Sequence, residues 1–236
     1  MFKKALIYLL LLYSLSNYYE FFHWYLGDNQ MVIEKAFVLS LMSSMPMFLS
    51  IILIHFFYYP KNTGDRANVI SFPPIIFLFS INLAFTIAMS NMYHYQIYQV
   101  PDMLDFFRSK PIGASLILIS LIIFYISIKQ FNKHSEDPVP TTPSNLIIVN
   151  GIYSYTRNPM YLALLLMQIG LGMLLSVIHI VMFTVLTYLI LKYYVIFPEE
   201  KYLEDKFEIY ILDIKKALID GFNAYGDHDY ELLLGQ

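Results

Sequence analysis

From Leu162 to Phe197 the chain carries a single charged residue, Lys192, among Leu, Ile, Val, Met and aromatic side chains. A helix rises about 1.5 Å per residue and a bilayer core is about 30 Å thick, so one crossing takes roughly 20 residues. The stretch therefore holds nearly two crossings, with a reversal expected near Ser176 to His179. Its two ends would return to the same membrane face. That brings the segment Asn150 to Tyr161 opposite Pro198, Glu199 and Glu200, so polar residues gather at both feet of a helical hairpin.

The rest of the chain fits the same solvent. A hydrophobic share of 58%, a charged share of 14% and a mean hydropathy of +0.54 exclude an ordinary soluble domain. The net charge of -3 and the lack of a long basic run exclude a nucleic-acid partner. With no cysteine, disulfides, zinc-thiolate centres and cysteine nucleophiles are excluded as well. The six histidines have no metal-ligand spacing, so no metal is expected.

Lys3 and Lys4 precede an apolar run from Ala5 to Leu15 that begins like a signal peptide. No small-residue cleavage site follows, and Tyr18, Phe21, Phe22, Trp24 and Tyr25 carry the run to interfacial depth, so a retained helix is expected. Further spans are expected from Ala36 to Tyr59, Ile70 to Tyr93 and Pro111 to Ile128, with a polar turn from Lys61 to Arg66. Lys129 to Ser144, with Pro138, Pro140 and Pro143, reads as an extended connector. After Phe197, Leu203, Phe207, Tyr210, Ile211 and Ile214 recur at helical spacing between charges, the pattern of an amphipathic helix.

The expected fold is all-α: a polytopic membrane bundle of about six transmembrane helices, the last two a hairpin, with a C-terminal amphipathic cytoplasmic helix. Residues 1–131 would form four helices that scaffold an acceptor cavity. Residues 132–236 would hold the connector, the motif, the hairpin and the last helix. In this topology Lys3, Lys4, Lys61, Arg66, Lys129, Lys133, Arg157, Lys192, Lys201, Lys206, Lys215 and Lys216 share one side, and only Lys35, Arg108 and Lys110 face the other. The positive-inside rule then puts both termini and the site in the cytoplasm.

A cation facing two carboxylates beside Tyr, Asn and a glycine backbone is chemically a site. Taken singly, each part has a plainer role: Arg157 as an interfacial arginine on lipid phosphate, the Glu pair as a charged helix start. Gly170 and Gly172 read as close-packing positions, Asn82 as lining a cavity or, more commonly for such a residue, as a helix-helix contact, and Gln168 as either a cofactor contact or a helix-helix hydrogen bond.

Gly151-Ile152-Tyr153, then Arg157-Asn158-Pro159-Met160-Tyr161, then Glu199-Glu200 with Leu203, Phe207 and Tyr210, resembles the membrane methyltransferases that include isoprenylcysteine carboxyl methyltransferases and phospholipid methyltransferases. The resemblance covers roughly the last two fifths of the chain. It implies S-adenosylmethionine as methyl donor, bound by Asn150, Gly151, Tyr153, Asn158, Pro159, Tyr161, Glu199 and Glu200, with Arg157 and Glu200 in catalytic roles. It also implies a lipid-like or prenylated acceptor that enters from the bilayer among membrane lipids. The chain departs from the prenylcysteine-type pattern at Asn145 and Asn158, where histidine is usual, and at Glu208, where glycine is usual. Two other readings stand beside this one. Sterol reductases share a similar C-terminal Arg-His-Pro-x-Tyr and hairpin, which would make the chain an NADPH-dependent membrane reductase. A non-enzymatic lipid-binding or transport protein is the third, and it has no need for Arg157 opposite two carboxylates.

Overall fold

The computed structural model describes residues 2–27, 32–60 and 66–207. Among these the regular structure is helical: α1 (Phe2–Tyr25), α2 (Ile33–Tyr58), α3 (Pro73–Ser90), α4 (Lys110–Lys133), α5 (Pro159–Leu174), α6 (Ile178–Leu191) and α7 (Phe197–Lys206). π turns lie at Asn91–Tyr95 and Lys192–Ile196, and 3-10 turns at Asp102–Arg108 and Gly151–Ser154. The all-α expectation holds. Tyr210, Ile211, Ile214 and the polar residues from Lys61 to Asp65 lie outside the described residues.

Among the described residues, four helices are long and apolar enough to cross a membrane: α2, α3 with its π turn to Tyr95, α4, and the continuous helix from Ile178 to Lys206. The six expected from run lengths include two that do not meet that standard. α1 has 24 residues, but Asn17, Tyr18, Tyr19 and Glu20 dilute its second half. α5 has 16 residues, about 24 Å of rise, which is shorter than one bilayer core.

Proline and glycine set the element ends. Pro159 opens α5 at a position where a missing N–H costs nothing. Between α5 and α6, Ser176 takes a φ of 57°, and the Val177 N–H donates to the Gly172 carbonyl at 2.9 Å. The reversal thus occupies residues 175–177. Pro46 lies inside α2 without ending it. α4 runs on to Lys133, so the first part of the expected connector is helix.

Two apolar clusters hold the bundle. One joins Phe21, Leu39, Phe85, Met89, Val177 and Ile180. The other joins Ala67, Val69, Ile76, Phe77, Tyr161, Leu164, Leu191 and Val195. Among the described residues the buried polar side chains find partners, Ser44 Oγ excepted, as the low local dielectric favours. Gln168 donates to the Ile180 carbonyl at 3.1 Å and accepts from Thr187 at 2.8 Å, which makes it a helix-helix contact. Asn82 accepts from Tyr18 and donates to the Ser44 carbonyl at 3.1 Å, tying α1, α2 and α3. Gly170 and Gly172 pack backbone on backbone, Gly170 against Gly113 of α4 and Gly172 against Val181 of α6.

These contacts sort the chain into two ends. At one end Lys3 lies over Phe57, Tyr59 bonds the Val69 carbonyl, Arg66 donates to the Thr141 carbonyl and Lys206 to the Ser144 carbonyl. At the other, Trp24 packs on Tyr93, Phe37 on His94, and the Tyr98 hydroxyl meets His179 at 2.5 Å. Lys35, Arg108 and Lys110 fall at or near the second end, and most of the remaining described cations lie at the first.

Candidate functional site

The first end gathers the motif residues. The Gly151–Ser154 turn follows Asn150, an exposed residue whose carbonyl accepts from the Tyr153 N–H at 3.4 Å. Gly151 has a φ of +65°, a left-handed conformation that costs an L-residue with a side chain about 1–2 kcal/mol. A Cβ there would reach Gln130 only at an ordinary 3.4 Å, so the glycine is needed for its backbone rather than for space. Tyr153 packs edge-on against Phe131 of α4, its ring 5.6 Å away.

Asn158 precedes α5, and its carbonyl takes the Leu162 N–H at 3.1 Å. Pro159 is fully buried and fixes the helix start. One turn in, the buried Tyr161 donates its hydroxyl to Glu199 Oε2 at 2.7 Å. Just before α5, Arg157 Nη1 lies 3.6 Å from Glu200 Oε1. The two halves of the motif therefore touch at two points, one part-buried and one more open. Among the described residues no group of His, Asp and Glu is arranged to hold a metal.

The two contacts differ in strength. The Arg157 and Glu200 side chains are 48% and 36% exposed, and an ion pair that wet is worth about 0–1 kcal/mol. A part-buried hydrogen bond to a carboxylate such as Tyr161 to Glu199 contributes about 1.5–3 kcal/mol. Glu199 is thus held, while Glu200 and Arg157 can be exchanged for a ligand.

Glu199 stands in the charged α7 portion of its helix. The helix from Ile178 spans 29 residues, about 43 Å, so its polar end extends past a core of about 30 Å. Burial pushes the Glu199 carboxyl up to about 7, against the Tyr161 hydrogen bond that pulls it down, and Glu200 nearby adds to the rise. Tyr153 is raised above the usual phenol range, first by burial and then by the Glu199 carboxylate, which places it in the same cluster. The chemistry of these residues fits a donor that carries an ammonium, ribose hydroxyls and a sulfonium: carboxylates would accept from the first two, and tyrosine rings would not repel the third.

Sequence reasoning missed part of this surround. Ala67 and Val69, from the segment before α3, are buried in the cluster that holds Tyr161. Gln130 and Phe131 back the Gly-Tyr turn from α4, and Glu136 accepts the Asn145 N–H at 3.1 Å, folding the connector on itself. None of these residues repeats or has charge spacing that would mark it.

Residues 108–209 match the family model for phospholipid methyltransferases. Comparison with curated proteins and with solved structures gives no match. The matched stretch contains Gly151, Tyr153, Arg157, Tyr161 and both glutamates, the residues the fold brings together. Through that stretch the chain is similar to the phospholipid methyltransferase family, whose members are integral membrane enzymes that transfer a methyl group from S-adenosylmethionine.

Proposed function

We propose that the methyl acceptor is the amino headgroup of a phospholipid, and that the contact of Arg157 and Tyr161 with the Glu pair is where transfer takes place. The carrying observation is the exposed Arg157–Glu200 ion pair beside the held Glu199. An amino phospholipid headgroup has a phosphate and an ammonium, the charge pattern that this ion pair complements. Arg157 exchanges Glu200 for the phosphate, which its planar guanidinium grips in two places. Glu200, released, accepts the proton that the headgroup nitrogen must lose before it can attack. A prenylated carboxylate acceptor would satisfy Arg157 alone and leave Glu200 without work.

Bound S-adenosylmethionine supplies the electrophilic methyl group. Glu199, oriented by Tyr161, receives its ammonium, while Asn150, Gly151, Tyr153, Asn158 and Pro159 line the approach. The carboxylate pair speaks against the reductase alternative, since a phosphate-rich dinucleotide calls for Arg and Lys there. In this reading residues 1–131 shape the acceptor cavity, α1 and α5 complete six membrane-embedded helices with α5 and α6 as their hairpin, and the site and both termini face the cytoplasm. The lysine-rich end of the bundle supports that orientation.

Isothermal titration of the purified protein with S-adenosylhomocysteine is expected to give saturable binding, and its absence in a folded sample sinks the donor site. Incubation with methyl-labelled donor and liposomes of an amino phospholipid is expected to label the headgroup nitrogen. Label found only in a base-labile ester of a prenylated carboxylate would overturn the headgroup assignment.

A further inference from the structure

Pro198 stands immediately before the Glu pair, inside a helix that runs on from α6 to α7. In a regular helix the residue 198 N–H would bond the Tyr194 carbonyl, and proline has no N–H to give. Two things happen at that point. The helix widens into the π turn Lys192–Ile196, where the Phe197 N–H reaches back to the Lys192 carbonyl. The Tyr194 carbonyl accepts instead from the Ile70 N–H, at 3.0 Å, from a segment far away in sequence.

That segment is anchored on both sides of the bond. Ala67 and Val69 are 3% and 2% exposed and pack in the cluster of Tyr161, Leu191 and Val195. The Val69 carbonyl takes the Tyr59 hydroxyl, and Arg66 donates to the Thr141 carbonyl at 3.2 Å. Residues 67–70 thus form a strap from the α2–α3 connection, outside the family-matched stretch, seated on the turn that precedes Glu199.

We propose that Pro198 and this strap act together as positioning residues for the donor site: the proline frees the Tyr194 carbonyl, the strap takes it, and the resulting π turn sets the rotation at which Glu199 and Glu200 face Tyr161 and Arg157. A π turn holds one more residue than an α turn. Returning the helix to α register would rotate everything after it by about 100°, enough to carry both carboxylates off their partners. The proposal rests on the reading that the Glu pair holds the donor.

The test is Pro198→Ala in the full chain, read by titration with S-adenosylhomocysteine and by thermal unfolding. A merely structural proline leads to no loss of affinity, because alanine restores a helix hydrogen bond and raises Tm or leaves it unchanged. The proposal expects affinity to fall about tenfold or more, the loss of roughly one charge-assisted hydrogen bond, with Tm not lowered. Hydrogen exchange on the wild-type protein gives a second measurement that needs no variant. By reciprocity of coupling, ligand binding slows exchange in the peptide containing Ile70. Affinity of the variant within twofold of wild type overturns the strap, and so does exchange at Ile70 that ligand leaves unchanged. If wild-type protein binds no ligand, the donor-site reading fails instead.

Discussion

Arg157 and Glu199 occupy the same cluster under different physical regimes, and their substitutions separate. Arg157 is half exposed and loosely paired, so Arg157→Ala costs little folding stability. If it grips the headgroup phosphate in transfer, turnover falls by about 100-fold or more while S-adenosylhomocysteine still binds, as measured with labelled donor and by titration. Glu199 is the residue for pH. Its carboxyl titrates at about 7 in the folded chain, so at pH 6 it is mostly neutral and cannot pair with the donor ammonium. Donor affinity is expected to rise as pH increases through that value and to level off above it, and Glu199→Gln should bind weakly with a flat profile. The linkage to folding has the opposite sense. A raised carboxyl pKa means that the folded protein holds the extra proton between the ordinary 4.5 and about 7, so this group's contribution to stability is full below 4.5 and is lost as pH rises through about 7.

At the scale of elements, the site depends on how closely α5 approaches its neighbours. A Cβ on Gly170 would lie 2.8 Å from the Gly113 carbonyl oxygen and 3.0 Å from the Ile117 nitrogen, both backbone atoms that cannot swing aside. Gly170→Ala must therefore part α4 from α5, at a cost of about 1–3 kcal/mol for overpacking. The measurement is thermal unfolding in detergent, where Tm should drop by several degrees. Because α4 also carries Phe131 and Gln130 behind the Gly-Tyr turn, donor affinity should fall with it. The residue spacing made Gly170 and Gly172 legible as packing positions, but which helix each one touches was not. The α4 terminus was misplaced for a related reason: Lys129 to Lys133 are polar, which hydropathy reads as the end of a span, although a helix can run on past the membrane with its backbone fully bonded.

For the molecule as a whole, the two ends of the bundle make a topological prediction. The chain has no cysteine, so single cysteines placed at Lys201 and at Arg108 report sidedness without background. A membrane-impermeant maleimide should label the two from opposite faces, with Lys201→Cys reached from the cytoplasm. Labelling of both from one face would overturn the orientation. What the sequence by itself determined is the solvent, the helical class and the pairing of the motif with the Glu pair, because an apolar stretch of fixed rise leaves few ways to place its ends. What only the tertiary structure decided is which carboxylate is held and which is open, and that a strap from the α2–α3 connection braces the site. Those outcomes depend on contacts between residues far apart in the chain, such as Ile70 with Tyr194, and a backbone hydrogen bond of that kind leaves no pattern in side-chain order.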